Sequence, residues 1–245
     1  MRIAVLSDLH ANGDALAAVI RELERRQPDR VYHLGDLVGY NAEPERCVRW
    51  AMAHTAGGVL GNHDAVGCGR SAGENFHEAA RIAAVWCRDH LSAASRGFLA
   101  ALPLRLDIEG GATLVHGAPA DPDRYIYSVA QAAHELASPG LSDIGGPVFF
   151  GHTHVAGGFV RRKSGVVEPV APDAVRLREG ERALLNPGSV GQPRDRNPDP
   201  CFLLFDTETR EAIWIRVPYD VEAARAKVLA AGLPAVFADR LRDGT

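Results

Sequence analysis

In the first 155 residues, short unbroken apolar runs end repeatedly in small polar blocks. Residues 2–6 (Arg-Ile-Ala-Val-Leu), Val31–Leu34, Gly58–Leu60, Thr113–Val115 and Pro147–Phe150 are such runs, and each reads as a buried strand. The stretches between them change period. Leu16, Val19, Ile20 and Leu23 mark one face of a helix that Asn12 can cap and that stops before Pro28. A second helix runs from about Pro44 to His54, with proline in its first turn. Residues 74–102 carry no strand signal. Ala79, Ile82, Val85 and Trp86, then Phe98, Leu99 and Leu102, predict a helical insert of two helices with Ser92 capping the second. Leu104–Ile108 and Thr113–Val115 form a hairpin around Glu109-Gly110-Gly111, and a helix follows at about 129–137.

Beyond His154 the pattern shifts to six short apolar runs, near residues 158–160, 166–167, 175–177, 183–185, 202–205 and 213–215, divided by Gly, Pro and Asp. This reads as an antiparallel meander. Asp220 then caps a helix to about Ala231, and a short polar tail is expected after it. The expectation is one α/β domain over residues 1–245, with a βα first half and a mostly β second half.

Composition narrows the classes. The 245 residues are 46% hydrophobic and 24% charged, as in a soluble globular protein, and the net charge of −4 offers no basic footprint for a nucleic-acid partner. Four cysteines with no Cys-x-x-Cys pair suggest free thiols rather than a zinc knuckle or a disulfide framework. The first apolar run is too short for a signal peptide, and no run approaches the ~20 residues of a membrane span, so a cytoplasmic location is expected. Oligomeric state has no signal here.

The polar blocks carry the chemistry. Asp8-x-His10, Gly35-Asp36, Gly61-Asn62-His63-Asp64, His116-Gly117 and Gly151-His152-Thr153-His154 each stand where an apolar run ends. In an α/β sheet the carboxyl ends of strands face one crevice. Carboxylate, imidazole and amide oxygen without thiolate suit Mn, Fe, Zn or Ni. The groups are too many for one ion, and two ions sharing a carboxylate would use them all.

In this order the blocks resemble the motifs of the calcineurin-like metallophosphoesterases (D-x-H, G-D, G-N-H-[DE], H, G-H-x-H). The resemblance implies a four-layer α/β/β/α sandwich, two mixed sheets flanked by helices, with a dinuclear site at one edge. It assigns Asp8, His10 and His154 to one divalent ion, Asn62, His116 and His152 to the other, and Asp36 to both, with manganese the first choice of metal. His63 would not ligate but would assist the leaving group, and Asp64 would orient or polarise its imidazole. A metal-activated hydroxide would attack a phosphodiester or phosphomonoester. Many members carry an acidic residue three positions after the bridging aspartate, where this chain has Gly39. That form, with the Asn186-Pro-Gly-Ser-Val-Gly-Gln-Pro-Arg194 stretch, is similar to a small bacterial and archaeal branch that includes phosphodiesterases and diadenosine tetraphosphatases. A small phosphoester, with a nucleotide among the options, is the expected partner. Arg194, Tyr40 and Cys68 are expected near it, and residues 65–103, 117–145 and 187–200 should set selectivity. The competing reading is an inactive member of the fold that binds a partner. A pure scaffold, however, has no physical need for an imidazole that coordinates nothing.

Overall fold

A computed structural model gives the architecture and describes residues 1–138, 141 and 145–245. Residues 139, 140 and 142–144, part of the 117–145 stretch expected to bear on selectivity, lie outside the described residues. Two six-stranded mixed sheets face each other. The first contains β1 (Arg2–Leu6), β2 (Arg30–His33), β3 (Gly57–Gly58), β9 (Ala174–Arg176), β11 (Cys201–Asp206) and β12 (Glu211–Arg216), in the order β3-β2-β1-β11-β12-β9. The second contains β4 (Arg105–Asp107), β5 (Thr113–Val115), β6 (Val148–Phe149), β7 (Gly157–Arg161), β8 (Val167–Val170) and β10 (Arg182–Asn186), in the order β4-β5-β6-β10-β7-β8. β1, β2 and β3 are mutually parallel, as are β5, β6 and β10.

The unbroken apolar runs have a structural cause. Successive side chains of a strand point to opposite faces, and both faces of these strands are covered. Ile3 and Val5 point between the sheets, where they meet Phe149, Leu185, Leu203 and Phe205. Ala4 and Leu6 point outward to α1 (Gly13–Arg26), α2 (Pro44–His54) and α5 (Ala93–Ala101), beside Phe202 and Leu204. On the other side of the molecule Val148, Phe150 and Leu184 bury the apolar face of α6 (Val129–Ala137). The result is the expected four-layer α/β/β/α sandwich. Asn12 caps α1, its Oδ1 accepting from Ala15 N at 3.0 Å, and Ser92 caps α5 through Ser95 N at 3.1 Å.

Three expectations are corrected. All six strands after His154 form, but as no single meander: β7, β8 and β10 join one sheet, and β9, β11 and β12 the other. Leu184–Leu185 and Phe202–Phe205 are buried on both faces, so each strand must sit inside a sheet, and β11 pairs antiparallel with β1. The Asn62-His63-Asp64 block is the start of a short helix, α3 (Asn62–Gly67), rather than a loop. The C-terminal tail is a helix. After α4 (Glu78–Asp89) in the insert and α7 (Val221–Ala230), residues Ala235–Asp243 form α8, which buries Phe237, Ala238 and Leu241 against α7. Among the described residues no helix is long and apolar enough to cross a membrane.

His33, at the end of β2, makes a separate prediction. It is fully buried, its Nδ1 accepts from Gly35 N at 3.3 Å and its Nε2 has no hydrogen-bond partner. Burial pushes its pKa down to about 4. Between pH 6.5 and 4 the unfolded chain takes up a proton that the folded chain refuses, so stability falls as pH falls through that window. Urea unfolding at pH 7 and pH 5 should show the native chain losing about 2 kcal/mol more than His33→Phe does. Equal losses would contradict this.

Candidate metal centre

Because β1, β2 and β3 run parallel, their carboxyl ends leave the first sheet at one edge, carrying Asp8, Asp36 and the Asn62-His63 turn there. β5 and β6 do the same for His116 and the His152-His154 loop in the facing sheet. The loops are bonded to one another. Asp8 N donates to Gly35 O at 3.1 Å, His10 N to Asp36 O at 2.9 Å, and Gly151 N to His116 O at 2.7 Å. Asp8, His10, Asp36, Tyr40, His152 and His154 all have left-handed backbone, with φ between 45° and 65°. Non-glycine residues hold that conformation at a cost of about 1–3 kcal/mol each, and such strain concentrates at functional sites. Gly61 is needed for another reason: a Cβ there would run into Asp36 Oδ1.

The histidine tautomers are fixed from behind. His10 Nδ1 donates to Val38 O at 2.9 Å and His154 Nδ1 to Gln192 O at 2.6 Å. In the neutral rings both Nε2 atoms therefore present lone pairs, and these lie 3.0 Å apart. The second pair repeats the arrangement. His116 Nδ1 donates to Leu34 O at 2.7 Å and His152 Nε2 to Asp123 O at 3.1 Å, leaving His116 Nε2 and His152 Nδ1 facing each other at 3.1 Å. Asn62 Oδ1 lies 3.1 Å from the same His116 nitrogen. Two lone pairs at that separation need an electrophile between them, a proton or a cation.

The carboxylates divide their oxygens in the same way. Asp8 Oδ2 accepts from Ser7 Oγ at 2.6 Å and His152 N at 3.1 Å, while its buried Oδ1 has no hydrogen-bond partner and lies 3.3 Å from His154 Nε2. Asp36 Oδ1 accepts from His63 N at 2.8 Å. Asp36 Oδ2 lies between the two histidine pairs, 3.6 Å from His10 Nε2 and 3.4 Å from His116 Nε2. Asp8, His10 and His154 thus form one group able to hold a metal ion, and Asp36, His116 and His152 a second. The donors are hard oxygens and imidazoles whose outer nitrogens are tied to backbone carbonyls, an arrangement that suits divalent transition metals.

The electrostatics make the same demand. Burial would raise the pKa of Asp36, but the His116, His63 and His10 imidazoles outweigh it and hold it well below the usual range. Burial opposes charge on His116, yet the Asp36 and Asp8 carboxylates raise its pKa to about 10. Burial lowers the pKa of His10, His152 and His154 and so favours their neutral, ligating form.

The remaining expected residues separate. His63 is buried beside the pairs. Its Nε2 lies 3.0 Å from Tyr40 Oη, and its Nδ1 has no partner. Asp64 does not reach its imidazole. Its oxygens accept from Leu37 N at 2.8 Å, Val38 N at 3.3 Å and Gly61 N at 3.2 Å, so it braces the Asp36 loop against the start of α3. Burial and the Asp36 charge push Asp64 up to about 8. Tyr40 and Arg194 do line the cavity in front of the centre, with His63, Phe76 and Tyr125; its volume is about 430 Å³. Cys68 does not. It caps α3, its Sγ donating to Ala65 O at 3.5 Å, and packs on the core behind. The Asn186–Arg194 stretch, in the sequence only a mark of resemblance, ties the loops of the centre together. Ser189 Oγ donates to Asp8 O at 2.8 Å, and Asn186 Nδ2 to Gly151 O at 2.9 Å. The partners are backbone atoms far away in the chain and leave no local signal.

Comparison with known proteins bears on this geometry. Residues 1–210 match the calcineurin-like phosphoesterase superfamily domain. The chain is 32% identical over 242 residues to an uncharacterized protein of Methanocaldococcus jannaschii, covering 98% of this chain and 96% of that protein. It is similar to the crystal structure of a metallophosphoesterase from Sphaerobacter thermophilus, with a TM-score of 0.86 and 35% identity over 100% of this chain and 99% of that one. A hypothetical protein from Pyrococcus horikoshii has the same fold, with a TM-score of 0.80 at 18% identity over 100% and 98% of the two chains.

Proposed function

This chain belongs to the calcineurin-like phosphoesterase superfamily, and from that premise we propose that it hydrolyses phosphoester bonds with two divalent transition-metal ions. Asp8, His10 and His154 would hold one ion, Asn62, His116 and His152 the other, and Asp36 both. The observation that carries this reading is the pair of opposed imidazole lone pairs, at 3.0 and 3.1 Å, with one carboxylate oxygen between them. When bound, the ions supply positive charge to the phosphoryl oxygens and acidify the attacking water.

The protein's own groups do the rest. The carbonyls of Leu34, Val38, Asp123 and Gln192 keep the imidazoles in the ligating tautomer. His63 serves the departing oxygen as proton donor. The Arg194 guanidinium lines the cavity and can donate to a phosphoryl oxygen. The cavity takes a small phosphoester, and the Phe76 ring on its wall is an aromatic surface for a nucleobase, whereas Tyr125 is already stacked on His152 and Tyr127. The donor set accepts Mn²⁺, Fe, Zn²⁺ or Ni²⁺, and Mn²⁺ is taken first on the resemblance to the family. The same reading takes residues 1–245 as one domain working in the cytoplasm.

The test is metal analysis of the purified protein, then turnover of nitrophenyl mono- and diesters before and after stripping the metal and restoring Mn²⁺. About two equivalents per chain and metal-dependent turnover are expected. A folded protein that takes up no metal, or that takes it up and hydrolyses neither ester, would point to the inactive binding protein instead.

A further inference from the structure

The side-chain partner of His63 is a phenol rather than a carboxylate. Tyr40 Oη lies 3.0 Å from His63 Nε2, and Asp64, next in sequence, is fully engaged with backbone amides. Tyr40 is itself held on several sides. Arg194 Nη2 donates to its hydroxyl at 3.2 Å, and the guanidinium lies over its ring at 5.6 Å. The Phe237 ring from α8 packs at 4.7 Å, so the helix absent from the sequence reading supports this contact. The Tyr40 backbone has φ 62°, a conformation that a bulky residue takes only under constraint and that it shares here with Asp8, His10, Asp36, His152 and His154. The preceding residue must be glycine: Gly39 has φ 96°, and a Cβ there would collide with His63 Nδ1.

We propose that Tyr40, pinned by Arg194 and Phe237 and joined to His63 through its hydroxyl, is the positioning residue that orients the His63 imidazole. This rests on the reading of His63 as the leaving-group donor. The direction of the bonds follows from the donors. Arg194 can only donate, so it occupies one lone pair of the Tyr40 oxygen; the second lone pair can accept from Nε2–H of His63, the form in which the imidazole has a proton to give. A phenol orients the ring without adding a negative charge beside Asp36, whose carboxylate already serves both histidine pairs.

The test is Tyr40→Phe, which keeps the ring and its packing and removes only the oxygen. In the metal-loaded protein, metal content and KM should stay within about twofold. The kcat for an alkyl ester should fall about ten- to a hundredfold, and for a nitrophenyl ester clearly less. In the zinc-loaded protein the ring nitrogen signals of His63 should move while those of the ligating histidines hold. Arg194→Met should likewise move the His63 signals and cost more on the alkyl ester than on the nitrophenyl ester, with KM raised by the lost phosphoryl contact, and Arg194→Lys should restore part of the rate. The arginine variants leave Tyr40 in place and carry the test if Tyr40→Phe does not fold. Equal losses on both esters, or an unmoved His63 signal, would overturn the proposal. A native protein inactive on both esters would instead overturn the phosphoesterase reading, and the His63 spectrum would still decide whether Tyr40 orients the ring.

Discussion

Asp36→Asn is expected to lose metal and turnover together. The substitution keeps the shape, and its remaining oxygen can still accept from His63 N, so the α3 turn should survive. What it removes is the charge between His10 and His116. Retained metal should fall below two equivalents per chain. The kcat/KM should drop on the order of a thousandfold, equivalent to about 4 kcal/mol of transition-state stabilisation. A linked pH effect checks the cause. Without metal, the Asp36 and Asp8 charges raise His116 to about 10 from a reference value of 6.5. That protonation stabilises the metal-free fold fully below pH 6.5, and the contribution is lost as pH rises through about 10. The same proton must leave before His116 can ligate, so metal affinity of the native chain should climb between pH 6.5 and 10. In Asp36→Asn both dependences should flatten. Full metal retention with native turnover would remove Asp36 from the centre.

Much of this was legible in the sequence because the fold is organised by strand ends. An apolar run covered on both faces is continuous in sequence, and the block behind it names the group delivered to the edge, as Leu6 does for Asp8 and Phe150 for His152. Strand pairing was less legible. Nothing in Leu184–Leu185 or Phe202–Phe205 says which sheet takes them: β10 is placed between β6 and β7, and β11 reaches back to β1 at the start of the chain. Adjacency misled at Asp64. At the start of a helix neighbouring side chains diverge, so Asp64 turns to the Leu37 amide while His63 turns to Tyr40. Tyr40 and Arg194 were each readable as wall residues, but their mutual bond spans 154 positions and appears only in three dimensions.

His63→Ala is expected to separate catalysis from metal binding. The backbone amide that donates to Asp36 Oδ1 remains in the alanine variant, and no carbonyl that fixes a ligating tautomer bonds to the His63 ring. Metal content should therefore match that of the native chain. Turnover of an alkyl ester should fall about a hundred- to ten-thousandfold, the usual contribution of a positioned proton donor. A nitrophenyl ester should lose far less, because its leaving oxygen departs as a stable anion and needs no proton. Two other outcomes are informative. Equal losses on both esters would argue that the imidazole stabilises the phosphoryl group itself. Loss of metal would make His63 a ligand, a role that its nearness to His10 and Asp36, with donor atoms within 4.8 Å of one another, permits by distance alone. The geometry weighs against that role: His63 Nε2 already faces the Tyr40 hydroxyl, whereas each nitrogen of the two opposed pairs faces only other metal-seeking atoms.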